Sequence, residues 1–449
     1  MNTPICDFVR AYASGDPLRL HMPGHKGAGP FGVEALDITE IPGAVVLYAP
    51  HGVIAESEAN AAALFGSAKT VYSTEGSSLC IRAMLCLARL WAAASGKKPF
   101  VLAGRNAHRS FLSAAALLDV GVAWLYGEEN GRGAVSCPVS AEGLARRFSE
   151  LPEAPVAVYI TSPNYLGERA DLSALAAVCH AHGALLLADN AHGAYLKFMS
   201  ISQHPLDLGA DLCCDSAHKT LGVLTGGAYL HVAKSAPSML CGAAERAMAL
   251  FAGTSPSYLV LQSLDAMNAA LDSGYVNSIM STISQAAALR DALAADEWAL
   301  VGDEPLKLTL RTKPRGYTGG EVAALLEQRH IFCEFADPDY IVFMLTPYLP
   351  DDACDRLLSA LRGLPPRTPL TNAPPELCKS RRILSPREAM LATFETLHVD
   401  QALGRVLASP CVSCPPAVPI LVCGEEIDET AVRAFHYYGI ESVEVVCER

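Results

Sequence analysis

The sequence predicts an α/β protein: a large domain with a mainly parallel sheet, then a small α+β domain and a C-terminal α+β domain. Three observations carry this. From Pro99 to Asp189, short apolar runs of strand type alternate with small-residue stretches of helical period, the pattern of strands joined by crossover helices that cover both sheet faces. At 449 residues the chain is too long for one ordinary core. Its hydrophobic share of 51% and mean hydropathy of +0.24 fit a protein with much buried sheet.

Taken in order, Met1 to Arg10 lacks the apolar core of a signal peptide. No run reaches the roughly 18 apolar residues that a membrane helix needs. Leu18 to Gly27, LRLHMPGHKG, reads as a fixed polar loop, either solvent-exposed or an arm reaching into a site. Glu56 to Phe65 reads as a helix. Val71 to Met84, VYSTEGSSLCIRAM, is a short strand, a Gly76-Ser77-Ser78 turn and a helix running to about Ala94. PFVLAG and GVAWLYG are strands, each followed by a helix, the second near Ala141 to Phe148. Val156 to Ser162 is a buried-type strand, Asp171 caps a helix to about His182, and Ala184 to Asp189 is the next strand.

Asp211 to His231, DLCCDSAHKTLGVLTGGAYLH, brings a strand to a polar tip and returns through Gly226-Gly227 to a second strand. Helices follow from TSPSYLVLQSLDAMNAAL to about Ala295. Lys307 to Leu310, Gly319 to His330, Tyr340 to Leu345 and Asp351 to Leu361 read as strand, helix, strand, helix. The Pro-rich stretch from Gly363 to Pro375 is a linker. Beyond it come a helix near Pro386 to Thr396, a strand at Pro419 to Cys423 and a last helix from Asp428. The expected boundaries are therefore 1–275, 276–365 and 376–449.

In such sheets functional groups gather at the carboxyl ends of strands, and His108, Thr161, Asp189 and Lys219 all fall there. Lys219 is either a surface lysine at a strand end or a nucleophile kept partly neutral by its surroundings. Gly76-Ser77-Ser78 is either a plain serine N-cap or an anion site made of free N–H groups and two hydroxyls. Asp189 either caps its turn or pairs with the protonated nitrogen of a pyridine cofactor, which keeps that ring an electron sink. His108 is either a satisfied loop residue or a flat ring stacked on that pyridine.

A net charge of −13 argues against nucleic acid as a partner. Of fifteen cysteines, many lie inside apolar runs, which predicts reduced, buried thiols in a cytoplasmic protein. The single CxxC, Cys411 to Cys414, has no second pair at zinc spacing, so no metal is expected.

Gly76-Ser77-Ser78, His108, Asp189 and Lys219 together resemble the site of a fold-type-I, aspartate-aminotransferase-like, pyridoxal-phosphate enzyme. More narrowly, the chain resembles the Orn/Lys/Arg decarboxylase family in its short form. The matching stretches run from about residue 18 to near the C-terminus: LRLHMPGHKG, DITEIPG, RNAHRS, TSPNYLG, ADNAHGAYL, SAHKTLGVLTGGAYLH, TSPSYLVLQSLD and PPAVPILVCGE. The resemblance implies decarboxylation of lysine, ornithine or arginine to the amine and carbon dioxide, in the service of polyamine biosynthesis. It implies no membrane or nucleic-acid partner, and a homodimer or higher homo-oligomer with shared sites.

By the same resemblance Lys219 carries pyridoxal 5'-phosphate as a Schiff base, Asp189 pairs with the pyridine nitrogen and His108 stacks on the ring. Ser77, Ser78, Ser216 and His218 surround the phosphate and phenolic edge, with His192 near the ring. Ser255 reaches the phosphate of the partner subunit. Lys219 or His218 protonates the α-carbon. Two alternatives stand beside this: another pyridoxal-phosphate reaction, for which Arg311 is the available carboxylate grip, and a catalytically silent homologue. Departures from the family pattern are Glu75, Val45, Asn164 and Ala417.

Overall fold

The computed structural model describes residues 1–44, 46–49, 51–127, 136–376, 379–413 and 419–447. The chain forms two compact units, each built from two separated stretches: Met1–Lys98 with Leu172–Ser278, and Pro99–Asp171 with Ile279–Arg449.

In the first unit four strands lie in the order Lys69–Ser73, Ala228–Val232, Leu212–Asp215, Leu185–Asp189. Almost every residue in them is buried, which is why Leu185–Asp189 and Leu212–Asp215 read as apolar runs rather than alternating ones. The 185–189 and 212–215 strands are parallel, with Asp189 opposite Cys214. The 228–232 strand runs antiparallel to both its neighbours. Gly226 makes that reversal at φ 100°, where a Cβ would come 2.6 Å from the Thr74 carbonyl oxygen.

Helix Ser77–Ala94 packs on the 212–215 and 228–232 strands. Its length and composition would suit a membrane span, but 61% of it is buried inside the protein. It is a core layer of the α/β stack. A helix at Pro4–Ser14, absent from the sequence expectations, is capped from a distance. The Asp265 carboxylate accepts the Ile5 and Cys6 N–H groups at 3.0 and 2.9 Å and the Ser57 hydroxyl at 2.6 Å. The expected helical stretch to Ala295 is present but broken: Tyr258–Ala270 and Val276–Ala295 flank a π turn in which Gly274 has φ 122°.

In the second unit, Ala157–Thr161, Phe100–Gly104 and Gly121–Leu125 are parallel neighbours in that order. An antiparallel sheet of Phe335–Ala336, Tyr340–Met344, Lys307–Arg311 and Ala299–Val301 carries helices Gly319–Glu327 and Ala353–Arg362. Leu308, Leu310, Ile341 and Phe343 form its core with Trp298. This is the expected small α+β element. Near the C-terminus the helix expected over Pro386 to Thr396 lasts only to Met390. Ser385 and Glu388 form a capping box that starts it. Phe394–His398 then pairs with Ser442–Val446 instead, so tertiary strand pairing overrides local helical preference. Cys414, the Pro415-Pro416 pair, Ala417, Val45 and Pro50 lie outside the described residues.

One buried pair ties this C-terminal part to the 100–104 strand. Arg105 donates to both Glu425 oxygens, at 2.7 and 2.6 Å, with the side chains 5% and 2% exposed. Its guanidinium also lies over the rings of Trp124 and Tyr126.

Glu58, buried in helix Gly52–Phe65, accepts the Tyr72 N–H at 2.9 Å. Burial pushes its carboxyl up to about 8, with nearby Glu245 adding to the effect and Tyr72 and Lys69 opposing it. Between the ordinary 4.5 and about 8 the folded protein therefore keeps a proton that the unfolded chain has lost. The stability this contributes is complete below the ordinary value and disappears as pH rises through the raised one. Glu58→Gln should flatten the fall of the thermal midpoint over that range. An unchanged pH slope in thermal melts would refute the assignment.

Candidate active site

The register of the two parallel strands decides which side chains meet. Because Asp189 lies opposite Cys214, these two share a face and the next pair, Asn190 and Asp215, faces the other way. Asp189, 3% exposed, accepts the Ala191 N–H at 3.2 Å and the Cys214 thiol at 3.5 Å. Burial first, then the negative charge of Asp189, pushes the Cys214 thiol well above its usual range, so it stays a neutral donor. Gly193 N–H closes the following turn on the Asn190 carbonyl at 2.8 Å, and this turn presents His192.

The neighbouring strand leads through Ser216 into a single helical turn, Ala217–Thr220. That turn sets Lys219 Nζ 3.1 Å from His192 Nε2. His218 Nδ1 lies 2.9 Å from the Gly227 carbonyl. A carbonyl only accepts, so Nδ1 carries the proton and Nε2 is the acceptor in the neutral ring. Burial, with Lys219 adding, lowers the His218 pKa and favours that neutral ring.

Ser216 Oγ donates to Ser77 Oγ at 2.7 Å. This joins the lysine turn to the start of the Ser77–Ala94 helix. The N-cap there is Gly76, not a serine, and it makes no side-chain cap bond. Ser77 and Ser78 are the first two helical residues. Their N–H groups have no intrahelical acceptor, and the helix dipole adds positive potential. A Cβ on Gly76 would stand 3.8 Å from the His218 ring. Glycines, hydroxyls and helix start together suit a phosphate group. Glu75 does not spoil this, since its carboxylate accepts the Gly253 N–H at 2.8 Å.

The first unit thus brings together Ser77, Asp189, His192, Ser216, His218 and Lys219, with Ser78 beside Ser77. Ser255 is exposed, just before the helix capped by Ser257. His108 belongs to the second unit. There it is the N-cap of helix Arg109–Leu118, its Nδ1 accepting the Ser110 N–H at 3.2 Å. Asn164 closes its own loop, taking the Leu166 and Glu168 N–H groups at 3.0 and 2.9 Å, and Arg311 is exposed. Sequence reasoning missed Asn190 and Asp215 because their importance depends on which strand lies beside which.

An amine, a buried carboxylate on an adjacent strand end and an anion-ready helix start are the donor set for a phosphorylated carbonyl cofactor with a basic ring nitrogen. Pyridoxal phosphate fits these residues.

Two family models match the chain: Orn/Lys/Arg decarboxylase, major domain, over residues 3–302, and Orn/Lys/Arg decarboxylase, C-terminal domain, over residues 381–442. An arginine decarboxylase of Halalkalibacterium halodurans is 29% identical, covering 95% of this chain and 91% of its own. One from Bacillus subtilis is 28% identical over the same shares. The E. coli constitutive lysine decarboxylase superposes with a TM-score of 0.78 at 18% identity, covering 99% of this chain and 82% of that one. A Francisella novicida lysine decarboxylase gives 0.81 at 15%, covering 99% and 81%. These structural likenesses establish the expected α/β fold with its large, mostly parallel sheet.

A phosphate site at Ser77 predicts that inorganic phosphate raises the thermal midpoint of the cofactor-free protein. Ser77→Asp, which sets a carboxylate where the anion would sit, should abolish that rise. An equal phosphate response in both proteins would rule the site out.

Proposed function

The chain belongs to the Orn/Lys/Arg decarboxylase family and is a decarboxylase of basic amino acids, and on that premise we propose that it holds pyridoxal phosphate around Lys219 and acts on arginine. The observation that carries the reading is Lys219 Nζ, held 3.1 Å from His192 on a turn bonded to the serine-lined helix start. Relatives of matching length bear the name arginine decarboxylase, which supports arginine ahead of lysine and ornithine.

When bound, pyridoxal phosphate supplies an aldehyde that condenses with amines and a cationic ring that withdraws electrons from the carbon losing its carboxylate. Ser77, Ser78 and Ser216, with the helix N-terminus, hold the phosphate. Asp189 keeps the proton on the ring nitrogen. Lys219 is the amine that would hold the aldehyde, its Nζ placed 3.1 Å from His192 Nε2. His192 exchanges a proton with Lys219 Nζ across their contact. His218 packs at the Gly76 turn, and its one ring proton is committed to Gly227. Lys219 is therefore the better source of the proton returned to the α-carbon. The family resemblance assigns ring stacking to His108.

The working unit in this reading is a homodimer. Leu18, Leu20 and Phe31 are 84%, 83% and 83% exposed, apolar surface suited to a second copy, and exposed Ser255 would serve that copy's phosphate. A reducing, cytoplasmic setting accords with the free thiols of the described cysteines.

Incubation with arginine, lysine and ornithine should yield carbon dioxide and the matching amine with no keto acid present. Keto-acid-dependent amino transfer without carbon dioxide would overturn the reaction while leaving the cofactor assignment in place. Lys219→Ala should lose the visible cofactor band and turnover, and a borohydride-reducible linkage surviving in it would move the assignment elsewhere. Asp189→Asn should keep the cofactor and lose about 3 kcal/mol of transition-state stabilisation, roughly a hundredfold in kcat. Near-native rates would end the ring-nitrogen role. Mixing inactive Lys219→Ala and Ser255→Trp chains should restore activity if sites are shared, and no recovery would mean each site is built within one chain.

A further inference from the structure

Asp215, His204 and His231 form a cluster in which every side chain is fully buried. Asp215 Oδ2 accepts His204 Nε2 at 3.0 Å and His231 Nε2 at 3.2 Å. Its Oδ1 accepts Asn190 Nδ2 at 2.7 Å and the Cys213 thiol at 3.6 Å. The three groups have ligand atoms within 4.8 Å of one another, a spacing a metal site would also show. The far side of the rings argues otherwise. Leu206 N–H points at His204 Nδ1 from 3.4 Å, so that nitrogen accepts and the ring proton sits on Nε2, where a metal would have to bind. The Thr70 hydroxyl, 2.8 Å from His231 Nδ1, permits the same tautomer there.

Both rings donate to one carboxylate oxygen. Burial alone would push the Asp215 carboxyl up. The two histidine donors outweigh it and hold the group well below the ordinary carboxylate range. The cluster stabilises a permanent anion.

That anion reaches both halves of the site. Asp215 immediately precedes Ser216, and Lys219 follows four residues on. Asn190, also fully buried, lies between Asp189 and His192. Among the described residues its Oδ1 has no hydrogen-bond partner, so the Nδ2 bond to Asp215 is what fixes the direction of the amide. Gly193 closes onto that amide: a Cβ at this position would stand 2.0 Å from Asn190 Oδ1.

We infer that Asn190 and Asp215 are positioning residues: their buried bond sets the His192 turn against the Lys219 turn and so maintains the proton-sharing contact between those side chains. The inference rests on the reading of Lys219 as the amine that carries the cofactor. The competing explanation is that the backbone ladder alone, including Asn190 N–H to the Cys214 carbonyl at 3.0 Å, fixes the spacing.

Asn190→Ala separates the two, because Asp215 keeps both histidine donors in that variant. Two readouts are taken on the full chain. The first, without cofactor, is the pH dependence of Lys219 labelling by an amine reagent, read by peptide mass. The second, with pyridoxal phosphate, is the pH midpoint of the cofactor band together with kcat and KM. In Asn190→Ala the labelling midpoint should move by about one pH unit as Lys219 loses its partner. The band midpoint should move with it, and kcat should fall about tenfold with KM little changed. Unshifted midpoints with only a lower melting temperature would overturn the inference. Asn190→Ser, whose shorter side chain cannot span the distance to Asp215, must give the same shifts if the alanine variant fails to fold. Should the wild-type chain show no cofactor band, the functional reading fails, while the cofactor-free labelling still decides the positioning role.

Discussion

A carboxylate sealed from water must be matched by donors on every side, and that requirement at Asp215 organises the first unit. Its donors come from residues 190, 204, 213 and 231. Three strands and the connection holding His204 are therefore pinned at one point. Removing one member of such a set leaves the rest buried and unmatched, which costs several times what the intact set contributes to net stability. The payload is geometric. Side chains on the adjoining turns inherit the rigidity of a core they do not belong to.

Two aspartates at adjacent strand ends show how strongly pleat direction divides labour. Asp189 and Asp215 are chemically the same and each ends a buried strand. The register pairs Asp189 with Cys214 and leaves Asp215 facing the histidines. Slipping the 212–215 strand by one residue would turn Asp215 onto the face of Asp189 and leave Cys214 facing the histidines. The paired cysteines at 213 and 214 fit this division, since small neutral thiols fill both faces and each donates to the aspartate on its own side.

Much of this was legible in the sequence where the signal was local. The Gly76-Ser77-Ser78 start, the Asp189 strand tip and the turn carrying Lys219 all rest on short-range patterns, and each lies within a residue or two of its expected place. Serine as the N-cap did not survive, because Gly76 takes that position at φ 71°. What the sequence hid was long-range. His204 and His231 carry no local signal, and only the sheet order brings them to one oxygen. Pro4–Ser14 becomes a helix through Asp265, far along the chain. The Phe394–His398 strand exists because Ser442–Val446 is there to receive it.

The Arg105–Glu425 fork has a consequence for anyone who would shorten this protein. Arg382 also donates to the Val122 carbonyl at 2.6 Å, and Arg387 to that of Ala116 at 3.1 Å. The region after residue 380 is thus stitched back onto the 99–171 segment by three guanidinium groups, one of them with a fully desolvated counter-charge. A chain cut in the Pro-rich 363–375 stretch, which the sequence alone reads as a linker, would strip the carboxylate from Arg105 and uncover the aromatic rings beneath it. The C-terminal part behaves as a keystone rather than a tail, and fusions or trimmed versions should leave it in place.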